Sequence, residues 1–212
     1  MIRIIPSIAS ANQLELRNEM TRVQSIGRLH IDIEDGNFID NITFGKKTVK
    51  AIANLFQGSL DVHLLTTNPE AYLDWISELE IDAICAHIEA LPYPKRFLCR
   101  ARRLGMKAGL AFNIKVPPEE TIPYINDLDY IIVMTSEPDD GTQTFFSCSF
   151  DRVAQFRRLL GPDVEIWCDG GVSPQHIKDL HSAGMDAAVM GRAVFSSNNP
   201  EEAIRNFERS MI

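Results

Sequence analysis

The 212-residue sequence lacks a long apolar run, a basic cluster and a recognisable leader. No apolar segment approaches the roughly 20 residues that a membrane span requires, so we expect no interaction with a membrane. The first residues, Met-Ile-Arg-Ile-Ile-Pro, lead directly into a strand-like pattern and do not resemble a signal peptide. The formal net charge is −8, and no run of lysine and arginine offers a track for phosphates. This composition argues against binding to nucleic acid.

Cysteine is scarce, and its spacing matches no metal or redox motif. The four cysteines, Cys85, Cys99, Cys148 and Cys168, form no CxxC pair and no zinc-binding pattern. Three of them lie in or beside apolar runs, which is typical of free thiols buried in a protein from a reducing compartment. We therefore expect a cytoplasmic protein.

No internal segment marks a boundary between domains. The chain has no interior linker, no low-complexity tract and no block of like charges. Its length allows one large domain or two small ones, and the absence of any dividing segment favours one. We expect residues 1–212 to form a single domain.

Apolar runs of strand length recur along the whole chain, and segments with helix signals separate them. Ser10 or Asn12 is expected to cap the first helix, while Asn68-Pro69 and Ser173-Pro174 are typical of later helix starts. Gly184 is a typical helix end. The eight apolar runs are Ile2–Pro6, Leu29–Ile33, Leu60–Leu65, Ala83–Ile88, Ala108–Phe112, Tyr130–Met134, Val164–Cys168 and Ala187–Met190.

Eight strands that alternate with helices imply a parallel sheet in an α/β fold. Eight βα units of about 25 residues each favour a closed (β/α)8 TIM barrel, compact for that fold. The rival is an open doubly wound sheet. That rival is weakened because no G-x-G-x-x-G motif follows the first predicted strand.

One stretch of seven residues, His-Ile-Asp-Ile-Glu-Asp-Gly from residue 30 to 36, has an unusual polar face. Read as a strand, it points His30, Asp32 and Glu34 to one side and its isoleucines to the other. A histidine and a carboxylate two residues apart can form half of a metal site or an acid/base pair. The plain alternative is an edge strand with a solvated polar face.

The ends of three predicted strands carry further polar side chains. In a barrel, the catalytic groups lie at the carboxyl ends of the strands, so His30, Asp32, His63 and Asp169 should surround one axis. Alternation along the strands places His63 and Asp169 on the interior face. Two imidazoles and two carboxylates suit Zn²⁺, Fe²⁺, Mn²⁺ or Co²⁺. A lone histidine at a strand end is more often structural, but the convergence of four such residues favours a site.

Glycines follow the last two predicted strands, at Gly170-Gly171 and at Gly191. Glycine lets backbone N–H groups approach an anion closely, and the loops after strands 7 and 8 of barrels often hold a phosphate. Plain turn chemistry also uses glycine, so this feature is weak evidence alone.

A series of motifs follows in a fixed order along the chain. They are Pro6-Ser-Ile-Ala-Ser-Ala11, His30 to Phe38 with Asn41-Ile-Thr-Phe-Gly45, Leu60-Asp-Val-His-Leu64 with Asn68-Pro69, His87-Ile-Glu-Ala90, Val133-Met-Thr135 with Glu137-Pro138, Asp169-Gly-Gly-Val172 and Gly191-x-Ala-Val-Phe195. In order and spacing they resemble the ribulose-phosphate 3-epimerase family over nearly the whole chain.

The resemblance implies metal-dependent epimerisation at carbon 3 of a ketose phosphate through an enediolate, with D-ribulose 5-phosphate to D-xylulose 5-phosphate as the default. It implies one divalent ion held by His30, Asp32, His63 and Asp169, with Asp32 and Asp169 as the acid and base. It also suggests a homo-oligomer. The implied substrate contacts are Ser7, His63, Met134, Gly141, Gly170, Gly171, Gly191 and Arg192.

The sequence departs from the family pattern where the substrate would be selected. Glu34 and Leu65 stand where many members have methionine, so both are candidate specificity residues. After Pro138 the chain reads Asp139-Asp140-Gly141-Thr142-Gln143 in place of the usual Gly-Phe-Gly-Gly. Arg192 replaces a small residue and could restore a phosphate contact through its forked donor. The substrate could therefore be another sugar phosphate, such as a hexulose 6-phosphate.

Two other functions fit the same fold. A lyase or decarboxylase of a keto-sugar phosphate would combine an active-site lysine with aspartates. No lysine follows Asp32 or stands at another predicted strand end. A non-catalytic sugar-phosphate binding protein would be expected to have lost some of the four metal and aspartate residues, and all four are intact.

Overall fold

Strands and helices alternate throughout residues 2–138 and 144–209, the parts of the chain that the computed structural model describes. The strands are β1 (Arg3–Pro6), β2 (Arg28–Glu34), β3 (Ser59–Leu65), β4 (Ala83–His87), β5 (Lys107–Phe112), β6 (Tyr130–Met134), β7 (Glu165–Asp169) and β8 (Ala187–Met190). The helices are α1 (Leu16–Val23), α2 (Lys46–Leu55), α3 (Leu73–Ile76), α4 (Pro94–Arg103), α5 (Ser149–Leu160), α6 (Pro174–Ala183), α7 (Arg192–Phe195) and α8 (Pro200–Arg209). Segments of 3₁₀ helix lie at Ile8–Ser10, Gln24–Ile26, Pro69–Tyr72, Ile88–Ala90 and Pro118–Asp127.

Within the described residues no helix has both the length and the apolar composition that crossing a membrane would take.

The eight strands form one parallel sheet that nearly closes into a barrel. Their order is β1-β8-β7-β6-β5-β4-β3-β2. The two remaining edges meet at a parallel bridge between Ser7 and His30. Next to it, Nε of Arg28 donates a hydrogen bond of 2.8 Å to the carbonyl oxygen of Ile4. The predicted (β/α)8 barrel is confirmed, and the open doubly wound sheet is wrong.

Alternate residues of the strands pack in two separate apolar layers. Outward-facing residues such as Val62 and Ile166 belong to the large layer beneath the helices. A smaller cluster fills the barrel interior, where the rings of Tyr130 and Trp167 stack with their centroids 4.3 Å apart. Because this cluster fills the interior, the polar interior side chains of β2, β3 and β7 lie together near one end of the barrel.

Two predicted helix starts are wrong in detail. Helix α1 begins at Leu16, beyond both residues predicted to cap it. Oδ1 of Asn12 instead accepts a hydrogen bond of 3.1 Å from the N–H of Leu14, and this local turn competes with helix formation. Asn68 makes no capping hydrogen bond with its side chain, and the residues after it form a 3₁₀ turn before α3. Ser173 does precede α6 as predicted, and its N–H donates to Nδ1 of His176 at 3.3 Å.

Candidate metal centre and substrate cleft

Four polar side chains from three strands meet inside the barrel at the carboxyl ends of those strands. His30 and Asp32 extend from β2, His63 extends from β3, and Asp169 is the last residue of β7. The parallel register places Asp32 directly beside His63. One potential ligand atom from each of the four lies within 4.8 Å of all the others. The structure thus brings together the four residues that alternation along the strands selected.

His63 shows that this group suits a cation. Its Nδ1 is buried and has no hydrogen-bond partner among the described residues. Oδ1 of Asp32 lies 3.3 Å from that nitrogen, and Oδ2 of Asp169 lies 3.5 Å from it. A buried polar atom left without a partner is costly. A divalent ion would accept the lone pair of Nδ1 and balance both carboxylates, so the residues present fit such an ion.

The carboxylates and imidazoles of this cluster shift one another's pKa. Burial alone would lower the pKa of His30, but the carboxylates of Asp61 and Asp32 outweigh it and raise that pKa well above its ordinary value. Burial is likewise outweighed by Asp169 and Asp32 at His63, whose pKa is raised. Burial would raise the pKa of Asp32, yet the two imidazoles hold it below its usual range. The centre favours positive charge between its carboxylates, which is the charge that a metal ion supplies.

Two residues that the sequence analysis did not select contact the imidazoles from behind. Asp61 on β3 makes a close contact with Nδ1 of His30. His87, the last residue of β4, places its Nε2 3.0 Å from Nε2 of His63. Both side chains are buried. The signal for Asp61 was its position two residues before His63 on the same strand face, and the signal for His87 was its position at a strand end.

A cleft of about 860 Å³ opens beside these side chains. Most of the predicted substrate-contacting and specificity residues line it, namely Ser7, Glu34, Leu65, Met134, Gly170, Gly171, Gly191 and Arg192. His63 does not line it but lies buried in the metal-ligand cluster. Gly141 lies outside the described residues. None of the described residues that line the cleft is a lysine, which weighs against the lysine-dependent lyase.

Ser7 combines contact with the cleft and contact with a candidate metal ligand. Its hydroxyl donates a buried hydrogen bond of 2.5 Å to Oδ2 of Asp32. The other oxygen of that carboxylate, Oδ1, lies 3.0 Å from Nε2 of His30. Ser7 therefore fixes the orientation of Asp32, with one oxygen held by the hydroxyl and the other directed at the imidazoles.

Glu34 places a carboxylate in the wall of the cleft. It follows Asp32 on the same face of β2, and the register pairs it with Leu65 on β3. Nδ2 of Asn41 donates a hydrogen bond of 2.7 Å to Oε2 of Glu34. Burial and the negative charge of Asp32 raise the pKa of Glu34 to about 7. The two candidate specificity residues are thus neighbours on adjacent strands, one ionisable and one apolar.

These features define a (β/α)8-barrel protein with a candidate divalent-metal centre at the carboxyl ends of its strands. The model of the ribulose-phosphate 3 epimerase family matches residues 3–195, and the chain belongs to that family. Ribulose-phosphate 3-epimerase of Schizosaccharomyces pombe is 33% identical over an alignment 215 residues long. The alignment covers 99% of this chain and 94% of that protein. The Synechocystis enzyme of the same name is 35% identical over 216 residues, with the same coverage of each chain. The Bacillus subtilis enzyme is 32% identical over 216 residues and is covered completely.

We expect the purified protein, loaded with Zn²⁺, Mn²⁺ or Co²⁺ and then desalted, to retain about one divalent ion per chain, because the described residues contain one cluster of four candidate ligands. His63→Leu should lose this ion, since it removes the nitrogen that faces both aspartates. Elemental analysis by plasma mass spectrometry measures the content. His181→Gln, which alters a side chain on α6 that contacts the carbonyl oxygen of Met185, is the matched control and should keep the ion. An unchanged metal content in His63→Leu would contradict the assignment.

Proposed function

We propose that this chain is an isomerase that interconverts two epimers at carbon 3 of a ketose phosphate, with D-ribulose 5-phosphate and D-xylulose 5-phosphate as the default pair. The observation that carries the proposal is the placement of Asp32 and Asp169. Their carboxylates approach the same imidazole nitrogen from two different strands, and both line the cleft. A substrate carbon held between them would have one carboxylate on each face.

Epimerisation needs such an arrangement for a simple reason. The proton on a carbon next to a carbonyl group is weakly acidic, and inversion requires its removal on one face and its return on the other. Asp32 and Asp169 are proposed to exchange these roles with the direction of the reaction. Ser7 holds the Asp32 carboxylate in one orientation through its hydrogen bond. A divalent ion bound by His30, Asp32, His63 and Asp169 would supply positive charge that stabilises the enediolate form of the substrate.

The phosphate group of the substrate is proposed to lie at the side of the cleft formed after β7 and β8. Gly170, Gly171 and Gly191 line the cleft there. Gly191 has no room for a side chain, because a Cβ atom would lie 2.0 Å from Oγ of Ser10. Gly170 and Gly171 both have positive φ, a backbone conformation that glycine adopts readily and in which successive N–H groups can face an anion. Arg192 is proposed to add a forked, charged donor to the same phosphate.

The other wall of the cleft is proposed to select the sugar. Leu65 and Met134 offer apolar contact, while Glu34 offers a carboxylate that Asn41 already holds through one oxygen. A half-buried carboxylate binds a hydroxyl group better than it binds an apolar surface. Glu34 is therefore proposed to accept a hydrogen bond from a substrate hydroxyl. Another sugar phosphate, such as a hexulose 6-phosphate, remains the alternative substrate class.

The finer properties of the protein are proposals that follow from its ligand set and its thiols. The metal is proposed to be Zn²⁺, Fe²⁺, Mn²⁺ or Co²⁺, since imidazole and carboxylate ligands suit these ions. The four free cysteines support a cytoplasmic location. The family resemblance supports a homo-oligomer of a single barrel domain, and light scattering on the purified chain would measure its size.

Asp32→Asn and Asp169→Asn test the proposed acid/base pair. Each should lower the rate of interconversion of ribulose and xylulose 5-phosphates by at least about 10²–10⁴-fold, because the amide cannot take the proton. The barrel should remain folded, as circular dichroism would show. Asp163→Asn removes an exposed carboxylate before β7 that does not line the cleft, and it serves as the control with near-normal activity. Appreciable interconversion by either active-site variant would contradict the two-aspartate scheme.

Glu34→Met and Glu34→Gln test whether the carboxylate of Glu34 helps to select the sugar. Glu34→Met should change the ratio of kcat/KM between a pentulose phosphate and a hexulose phosphate by about tenfold or more, because it removes a hydrogen-bond acceptor worth about 1.5–3 kcal/mol when charged. Glu34→Gln keeps an acceptor oxygen of the same shape and should change the ratio less. Steady-state kinetics over a panel of sugar phosphates measures both. Identical substrate preferences in the unsubstituted protein and both variants would contradict a role of Glu34 in substrate selection.

A further inference from the structure

His63 is buried between two sets of partners, and with a cation at Nδ1 it can satisfy both sets in only one tautomer. Its Nδ1 faces Asp32 and Asp169 at 3.3 and 3.5 Å, which is the side where a cation would lie. Its Nε2 lies 3.0 Å from Nε2 of His87. A neutral imidazole carries one N–H donor and one lone pair, so these two sides cannot both be donors.

A cation at Nδ1 of His63 would fix the direction of the hydrogen bond between the two histidines. For Nδ1 of His63 to offer its lone pair to a cation, the proton must sit on Nε2, which then donates to Nε2 of His87. His87 must accept there, so its own proton is on Nδ1. If His87 donated instead, a neutral His63 would carry its proton on Nδ1 and could not bind a cation. Which nitrogen of His87 is protonated thus controls whether His63 can be a ligand.

The surroundings of His87 favour a proton on its Nδ1, which leaves the lone pair of His63 Nδ1 free for a cation. Oε2 of Glu89 lies 3.6 Å from Nδ1 of His87, so its negative charge favours a proton on that nitrogen. Glu89 is itself held in place, because Nδ2 of Asn113 lies 3.1 and 3.2 Å from its two oxygens. The rings of His87 and His63 are nearly parallel, at 20°, with centroids 5.0 Å apart, and they meet edge to edge at their Nε2 atoms. The ring of Phe38 lies 4.8 Å from that of His87.

We propose that His87 is a positioning residue that fixes the tautomer and ring orientation of His63 for metal binding, with Glu89 behind it. The inference rests on the metal centre of the proposed function. It also means that the two candidate ligand imidazoles, His30 and His63, have outer partners of different charge. His30 has the carboxylate of Asp61 as its outer partner, whereas His63 has a second imidazole, which carries no full negative charge.

The test compares His87→Phe with His87→Gln in the full-length protein. Phenylalanine keeps a ring against His63 but offers no acceptor, whereas the side-chain amide of glutamine can place its oxygen near the lost Nε2. The affinity for Zn²⁺ is measured by competition with a chromophoric chelator, and the visible absorption of bound Co²⁺ reports the ligand set. Melting temperatures of the metal-free proteins show whether either substitution alters the fold itself.

We expect His87→Phe to bind Zn²⁺ about 10- to 100-fold more weakly than the unsubstituted protein, as is usual for loss of an outer partner of a metal ligand. His87→Gln should stay within about threefold, because an acceptor for His63 is restored. His181→Gln controls for loss of a surface histidine and should bind normally.

Equal affinities of the Phe variant and the unsubstituted protein would overturn the proposal. So would an equally weak affinity in the Gln variant, provided that its metal-free melting temperature is unchanged, because loss of the acceptor would then not be the cause. Absence of Zn²⁺ binding in the unsubstituted protein would overturn the proposed metal centre itself, which is a different result from either of these.

Discussion

The approach of two carboxylates to one buried imidazole is the constraint on which the rest of the site depends. Asp32 and Asp169 carry like charges and come from separate strands, yet both lie within 3.5 Å of Nδ1 of His63. Such a cluster is stable in a buried place only if positive charge lies between the carboxylates. Protonated imidazoles can supply that charge, and so can a divalent ion. The same requirement for positive charge therefore underlies both the stability of the barrel mouth and the proposed chemistry.

The barrel interior is divided into an apolar part, which the side chains of several strands fill, and a polar part at the carboxyl ends of the strands. Tyr130 and Trp167 fill the interior with stacked rings, so water does not reach the cluster from that side. Outer contacts then hold each imidazole, through Asp61 at His30 and through His87 at His63. These partners leave the ligands few alternative orientations. A divalent ion held by such preorganised ligands would stabilise developing negative charge without reorganisation during the proposed reaction.

The fold and the four central side chains were predictable from the sequence because both depend on simple periodicities. Alternation along β2 and β3 determines which side chains enter the interior, so the order of residues alone assigns His30, Asp32 and His63 to one face. The partners of those side chains could not be assigned, since they depend on the distances between strands. His87 contacts His63 only because β4 pairs with β3 in a particular register. The hydrogen bond from Ser7 to Asp32 likewise depends on the closure between β1 and β2.

The residues proposed for chemistry and those proposed for substrate selection occupy different parts of the cleft. Asp32 and Asp169 line the cleft from β2 and β7, Glu34 and Leu65 line it from the ends of β2 and β3, and the glycines and Arg192 follow β7 and β8. A change at Glu34 can therefore alter which sugar is accepted while the proton-transfer groups stay in place. Such a separation would let a member of the family keep its reaction while the residues proposed to select the sugar depart from the common pattern.

The most direct test of the central claim is exchange of the carbon-3 proton with solvent, followed by NMR in deuterated water over a panel of pentulose and hexulose phosphates. If Asp32 and Asp169 act on carbon 3 from opposite faces, at least one ketose phosphate should acquire deuterium at carbon 3 in both of its epimers. Failure of every substrate on the panel to exchange that proton with the metal-loaded protein would contradict the claim and would favour a protein that binds sugar phosphates without turning them over.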